Sequence, residues 1–434
     1  MDIASLLLLI FVGAFLVLLF LGWPVAFAIA TASILAYIFL AGGSVLGSFA
    51  IFSYNAMFNY GLLALPIFIL MGEVLIQGGV AGDLYDAVTP LMERIPGGLI
   101  HTNIAANVIL GACCGSTVAA TSAMSTVAIP ELMKRGYAKK ICYGSLASAG
   151  CLSCLIPPSV GMILFCSITT VSLGKLFIAG IIPGLILAAS FSLVSAIWIK
   201  YQPDIAPRVP KKVMPLWVAV LFALKRLWPL FILIIVVLGT IYLGVATPTE
   251  SGCYGVFGAL VLSALNKKLN LKTIKAMLIN TAQVSVPILF IIAMASVYGY
   301  ALNALGLKQL LLNLLENLQG GTITKIYIIW LVYLLLGMFL DSAAVIVLTT
   351  PILLPFTINL GYDPIWFGIF LMLTTQLGNI TPPIGVTLFA VQAITKERVA
   401  IIAQGCLPYW VSFLLASSLV IFFPSLATWL ASHF

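Results

Sequence analysis

Charge is the scarcest property of this 434-residue chain: Asp, Glu, Lys and Arg together make up 7% of it, and only two histidines are present. So little polarity does not cover the surface of a soluble domain of this length, because ionised side chains are what such a surface mostly consists of. With 62% hydrophobic residues and a mean hydropathy of +1.20, the composition points to a polytopic protein of the lipid bilayer. The shortage of histidine, with no adjacent His/Glu pair, argues against a metalloenzyme. The apolar runs hold no nucleophile–base–orienter set for a membrane enzyme, and no deep Arg or Lys that would clamp a carboxylate. A basic n-region and a small-residue cleavage site are also missing from "MDIASLLLLIFVGAFLVLLF", so it reads as a retained helix and not as a signal peptide.

The charges that are present give a net +8, which looks like a nucleic-acid footprint until they are placed. They sit in short connections: Lys134, Arg135, Lys139 and Lys140; Lys200, Arg208, Lys211, Lys212, Lys225 and Arg226; Lys267, Lys268, Lys272 and Lys275; Lys396 and Arg398. Basic loops mark the cytoplasmic side of a membrane protein, so no nucleic-acid partner is expected.

A spanning helix needs about 20 apolar residues. Runs near 3–20, 23–42, 62–80, 138–172, 174–201, 228–245, 248–266, 276–303, 365–395 and 400–431 qualify. Residues 99–133 and 324–359 do not fit, being too long for one span and too short for two. Each is split by small or polar residues, "GACCGS" at 111–116 and "GMFLDS" at 337–342. Half-helices of about 15 residues rise about 22 Å against a hydrocarbon core of about 30 Å. Both stretches are therefore expected to be re-entrant hairpins with shielded tips.

Counting crossings from an external N-terminus puts every basic cluster in the cytoplasm, leaves Lys175, Lys308 and Lys325 outside, and places both termini on the periplasmic side. The two hairpins then open on opposite faces. The expected organisation is an all-α inverted repeat: residues 1–200 with hairpin 99–133 and broken helix 138–172, then a basic cytoplasmic linker at 201–227, then residues 228–434 with hairpin 324–359 and broken helix 365–395. Within the linker, "MPLWVAVLFALKRLW" suits an interfacial helix or a buried scaffold helix. Direct matches support the repeat: Gly111–Ser116 with Gly337–Ser342, Pro130 and Gly136-Tyr137 with Pro355 and Gly361-Tyr362, and Pro157-Pro158 with Pro382-Pro383. The offset is 226 at the tips and 225 thereafter.

The breaks themselves are polar: "LSCLIPPSVGM" at 152–162 and "QLGNITPPIGV" at 376–386. A helix interrupted within the bilayer exposes orphan carbonyls and N–H groups, which are costly unless something polar occupies the gap. Thr381-Pro382 reads as an N-cap followed by proline at the first helical position.

The stretches "GSTVAATSAMSTVAIPELMKRGY", "LIPPSVGMILF", "LGVATPTESGCYGVFGAL", "GMFLDSAAVIVLTTPILLPFTINLGYDPIWFGI" and "GNITPPIGVTLF" resemble the large membrane subunit of the tripartite ATP-independent periplasmic (TRAP) transporters, over essentially the whole chain. The resemblance implies no enzyme, but sodium-coupled uptake of an organic anion across a bacterial inner membrane. It implies delivery by a periplasmic substrate-binding protein, bracing by a small four-helix membrane subunit, and an elevator motion of transport regions against a scaffold. Carried over by motif, one sodium site falls between Gly115 and Ser116 of the first tip and the break at Ser153 and Pro157; the second falls between Asp341 and Ser342 and the break at Gly378, Asn379 and Thr381. Substrate is expected near Thr121, Ser122 and Thr387, with Na+ the coupling ion and no other metal or cofactor. At the first tip the chain departs from the family pattern, with Cys113-Cys114 before Gly115 and Thr117 after Ser116.

Plainer roles compete for the same residues. Ser116, Ser153 and Ser342 suit back-bonding to helix carbonyls, Asn379 suits a cap, and Asp341, the one acidic residue deep in a hairpin, suits a structural ion pair. Thr247 and Glu250 fit a capping box, Cys151 and Cys154 fit packing on an apolar helix, and Glu73 is given no role. Two other functions stand beside the leading one: a stand-alone ion-coupled carboxylate carrier with the same fold, and a membrane enzyme or channel.

Overall fold

The computed structural model describes residues 13–15, 17–19, 21–41, 45–207, 214–304, 306, 309–310, 313 and 319–434. The helix expected over 3–20 lies largely outside these residues, as do Arg208, Lys211, Lys212 and Lys308. Among the described residues every regular element is a helix and none is a strand. This is the arrangement that satisfies backbone groups within each segment where lipid offers no partners.

The first half comprises α1 (Val25–Ala41), α2 (Val45–Met57), α3 (Ala64–Gln77), α4 (Val80–Met92), α5 (Gly98–Cys114), α6 (Thr117–Lys134), α7 (Lys139–Gly150), α8 (Val160–Ile168) and α9 (Leu173–Tyr201). It is followed by α10 (Leu216–Tyr242), α11 (Pro248–Leu265), α12 (Leu271–Ala304), α13 (Thr322–Phe339), α14 (Ser342–Asn359), α15 (Pro364–Asn379), α16 (Val386–Thr395), α17 (Val399–Phe422) and the short α18 (Ser425–Thr428). Seven described helices are long and apolar enough to cross a bilayer: Tyr60–Gln77, Leu173–Tyr201, Leu216–Tyr242, Leu271–Ala301, Thr322–Phe339, Ser342–Asn359 and Val399–Phe422. The protein is an all-helical, multi-pass membrane protein.

The arms of the two hairpins, α5 with α6 and α13 with α14, have 17 or 18 residues each. At 1.5 Å per residue they rise about 26 Å, more than the half-helices of about 15 residues that the sequence suggests. Element ends recur at one spacing: Cys114 and Phe339, Thr117 and Ser342, Lys134 and Asn359, and Lys139 and Pro364 are each 225 residues apart. The Pro157-Pro158 and Pro382-Pro383 bonds, both cis, keep the same spacing. At the tips this spacing makes Ser116 the counterpart of Asp341, since both are helix N-caps.

Helix α10 runs unbroken from Leu216 to Tyr242, so the linker boundary expected at residue 227 falls within a single helix. The reason is a continuous stripe, Ala219, Ala223, Leu227, Leu230, Leu233 and Val237, that is buried along its length. Its outer face carries exposed Trp217, Leu221, Leu224, Trp228, Ile232 and Ile235, a surface suited to lipid. Arg226 within it is met by α4, donating to Asp83 Oδ1 at 2.9 Å and Asp86 Oδ2 at 3.1 Å.

Small residues let the inner helices touch. A Cβ on Gly144 of α7 would collide with the Gly405 backbone of α17, and one on Gly405 with the Lys140 carbonyl. Close backbone approach through small residues is how helices gain dispersion energy where lipid and side chains are equally apolar. At the start of α11 both bonds of the capping box are present: the Glu250 N–H donates to Thr247 Oγ1 at 3.3 Å, and the Thr247 N–H to Glu250 Oε2 at 2.8 Å.

Candidate ion and substrate site

At the first tip, α5 closes on Gly115, whose φ of +61° is readily reached only without a side chain. A Cβ there would also lie 2.7 Å from the Pro158 carbonyl, because the tip docks on the first break. The Val160 N–H donates to the Gly115 carbonyl at 3.1 Å, and Ser116 Oγ accepts from the Ala119 N–H at 3.5 Å as the cap of α6. The break opposite runs from the 3-10 turn Cys151–Cys154 through buried Pro157 to Ser159, which caps α8. Ser153 donates its hydroxyl back to Gly150 O at 2.7 Å, and Gly111 of α5 crosses it so closely that a Cβ would sit 2.9 Å from Ser153 Cα.

The second half repeats this crossing with Gly378, where a Cβ would lie 2.6 Å from Gly337 Cα. Asp341 caps α14, its Oδ2 accepting from the Ala343 N–H at 3.1 Å. The N-cap expected at Thr381 is not formed. Thr381 lies in the turn after α15, its hydroxyl donates to Leu377 O at 2.6 Å, and α16 begins later, after Gly385 at φ +59°. The cis Pro382-Pro383 pair lies between Thr381 and that start, so the hydroxyl satisfies a carbonyl of the helix behind it. Thr387 donates to Asn379 O at 2.8 Å, tying the start of α16 to the end of α15.

The two sequence-predicted clusters join through a residue outside both. Gln376, 1% exposed, accepts from Thr117 Oγ1 at 3.2 Å through Oε1 and donates through Nε2 to Ser342 Oγ at 3.0 Å. Asn379 donates to Ser342 Oγ at 2.9 Å and to Gln376 Oε1 at 3.2 Å. Its own Oδ1 is buried without a hydrogen-bond partner, as is Thr121 Oγ1. A buried acceptor left open is costly unless something fills it.

A cavity of about 840 Å³ opens over this network. Gly115, Ser116, Ser122, Asp341, Ser342 and Asn379 all line it; Thr117, Gln376, Glu73 and Asn280 line it as well. Thr121, Ser153, Pro157, Gly378, Thr381 and Thr387 do not line it; they lie behind it in the packing of tips and breaks. Sequence reasoning passed over Gln376, although it stands one helical turn before Asn379, a spacing that puts both side chains on one face. Glu73 and Asn280, 207 residues apart, share no local signal. Cys151 and Cys154 are buried, with Cys151 Sγ 3.8 Å from Gln376 O and Cys154 Sγ 3.4 Å from Met372 Sδ.

Hairpin tips meeting interrupted helices around a largely apolar cavity that carries a cluster of polar side chains, in an all-helical multi-pass chain, define a membrane transport protein. The fold is similar to the crystal structure of the Alcanivorax borkumensis YdaH transporter, with a TM-score of 0.57 at 15% identity over 91% of this chain and 89% of that one. The chain belongs to the family described as "Tripartite ATP-independent periplasmic transporter, DctM component", whose model matches residues 12–426. It is 32% identical to the C4-dicarboxylate TRAP transporter large permease protein DctM of Pseudomonas aeruginosa, covering 88% of each chain. It is 30% identical to the ectoine TRAP transporter large permease protein TeaC of Halomonas elongata, over 97% of this chain and 98% of that one. The protein is thus a transporter permease and not an enzyme, and similarity of this order spans relatives named for different cargoes.

Proposed function

We propose that the protein is the large subunit of a sodium-driven uptake system in a bacterial inner membrane, carrying an organic anion of the carboxylate, dicarboxylate or sugar-acid class. A periplasmic binding protein delivers the cargo and a small four-helix membrane subunit braces this chain, as the tripartite family name and the C4-dicarboxylate relative suggest. Both termini lie on the periplasmic side, the two halves have opposite orientation, and the tips and breaks move together as an elevator. The recurrence of element ends at one 225-residue spacing supports the repeat on which that motion depends.

One observation carries the reading: the buried network of Thr117, Gln376, Ser342 and Asn379, with Asn379 Oδ1 unpartnered and the Asp341 carboxylate lining the same cavity. Oxygen donors and a carboxylate suit a hard monovalent cation. An ionisable side chain within a membrane hairpin is expensive and marks an ion path. Helices α6 and α14 begin at the tips and α8 and α16 just after the breaks, so four positive helix ends converge to attract an anion.

Reconstitution tests it. Proteoliposomes holding this chain and its small subunit should accumulate cargo above equilibrium only with an inward Na+ gradient and the binding protein. Uptake indifferent to sodium would falsify the coupling, and uptake without the binding protein would favour a stand-alone carrier.

A further inference from the structure

Helix α3 brings to the cavity a carboxylate that neither expected ion site uses. Glu73 is 8% exposed, its Oε2 accepts from Asn280 Nδ2 of α12 at 3.1 Å, and both residues line the cavity with Ser116, Ser342 and Asp341. Its place is fixed, because Gly72 is pressed so close to the first tip that a Cβ would lie 2.8 Å from Cys114 Cα. Among the described residues lining the cavity there are two carboxylates and no Lys, Arg or His. Asn379, whose buried Oδ1 has no hydrogen-bond partner, lines the same cavity.

We propose that Glu73, held by Asn280, is a specificity residue that accepts a hydrogen bond from an N–H or O–H group of the cargo. The cargo is then a monocarboxylate with a donor group remote from its carboxylate, a hydroxylated acid or a zwitterion, and not a dicarboxylate. The inference rests on the reading of this cavity as the transport site. Sodium and the converging helix ends compensate one carboxylate near the tips. A second carboxylate would face Glu73, which the amides of Asn280 and Gln77 already hold, and like charges brought together repel by several kcal/mol. A donor group instead satisfies Glu73, and a site built around such a bond rejects analogues that lack the donor far more strongly than an apolar pocket rejects a missing methylene.

The test is thermal unfolding of the purified full chain in NaCl with three probes: succinate, gluconate and ectoine, the last a cyclic amidinium carboxylate. Gluconate or ectoine should stabilise the wild type saturably, and succinate should not. Glu73→Gln should weaken that binding by about tenfold or more and admit succinate, while stabilisation by NaCl over choline chloride stays as in the wild type. Asn280→Ala, which leaves the carboxylate in place but less firmly held, should shift affinity in the same direction by a smaller factor. Succinate binding to the wild type, no binding of either donor-bearing probe, or equal affinities in wild type and variants overturns the proposal. Absence of any NaCl effect in the wild type is a separate result that removes the ion-site reading and this inference with it.

Discussion

Thr117 Oγ1 donates to Gln376 Oε1 at 3.2 Å across 259 positions of sequence, joining the first hairpin tip to the second broken helix. The same side chain reaches Ser342 at the second tip, so one buried amide holds both hairpins. A hydrogen bond of this kind contributes about 1 kcal/mol net, and more where its loss strands a buried partner.

Gln376→Ala should therefore lower stability by about 1–3 kcal/mol and weaken communication between the tips. Sodium titrations followed by thermal shift should show a smaller Hill coefficient. A double-mutant cycle with Thr117→Val should be non-additive. Additive effects would mean that the two residues merely neighbour each other.

Asn379→Ala removes the open Oδ1 and both donors to the network. It should raise the sodium concentration for half-maximal stabilisation by about tenfold, the equivalent of roughly 1.4 kcal/mol. The reading is the unfolding midpoint in NaCl against choline chloride, and unchanged sodium affinity would take Asn379 out of the site.

Thr381→Val deletes a hydroxyl whose proton is already given to Leu377 O. It should cost stability on the order of 1 kcal/mol. If Thr381 Oγ1 also serves an ion through its lone pairs, sodium affinity falls in Thr381→Val and recovers in Thr381→Ser; if it serves only the helix, the titration does not move.

Gly378→Ala drives a methyl group into the Gly337 backbone and should sharply reduce the yield of folded protein, as core overpacking does. Gly239→Ala in α10 is the control, since a Cβ there meets nothing within 4 Å. It should be neutral or stabilising by up to about 1 kcal/mol. Monodispersity on size exclusion and the midpoint of thermal unfolding separate the two.

Much of this architecture was legible in the sequence because membrane insertion writes itself in long apolar runs, and because glycine and proline mark the places where helices stop. The capping box at Thr247 and Glu250 was legible for the same local reason: its partners lie three residues apart. The start of α16 was not. Thr381-Pro382 has the chemistry of an N-cap, but the backbone turns through Pro383 and Gly385 before the helix resumes. Helix α10 was divided too early, because Lys225 and Arg226 look like the end of a loop until Asp83 and Asp86 of α4 are seen to meet the arginine. Glu73 and Asn280 were beyond reach altogether, since each is an ordinary polar residue until the fold places them 3.1 Å apart.

Gly337 and Gly378 touch main chain to main chain, and Gly111 meets Ser153 in the same manner. A joint made of backbone atoms has no side chains that can rotate to absorb movement, so it behaves as a rivet without slack. Displacing either tip by an ångström drags the adjoining break with it. Ser342 and Asn379, whose side chains meet at 2.9 Å where Asn379 Nδ2 donates to Ser342 Oγ, are thereby fixed relative to each other by main chain and not only by the hydrogen bond between them.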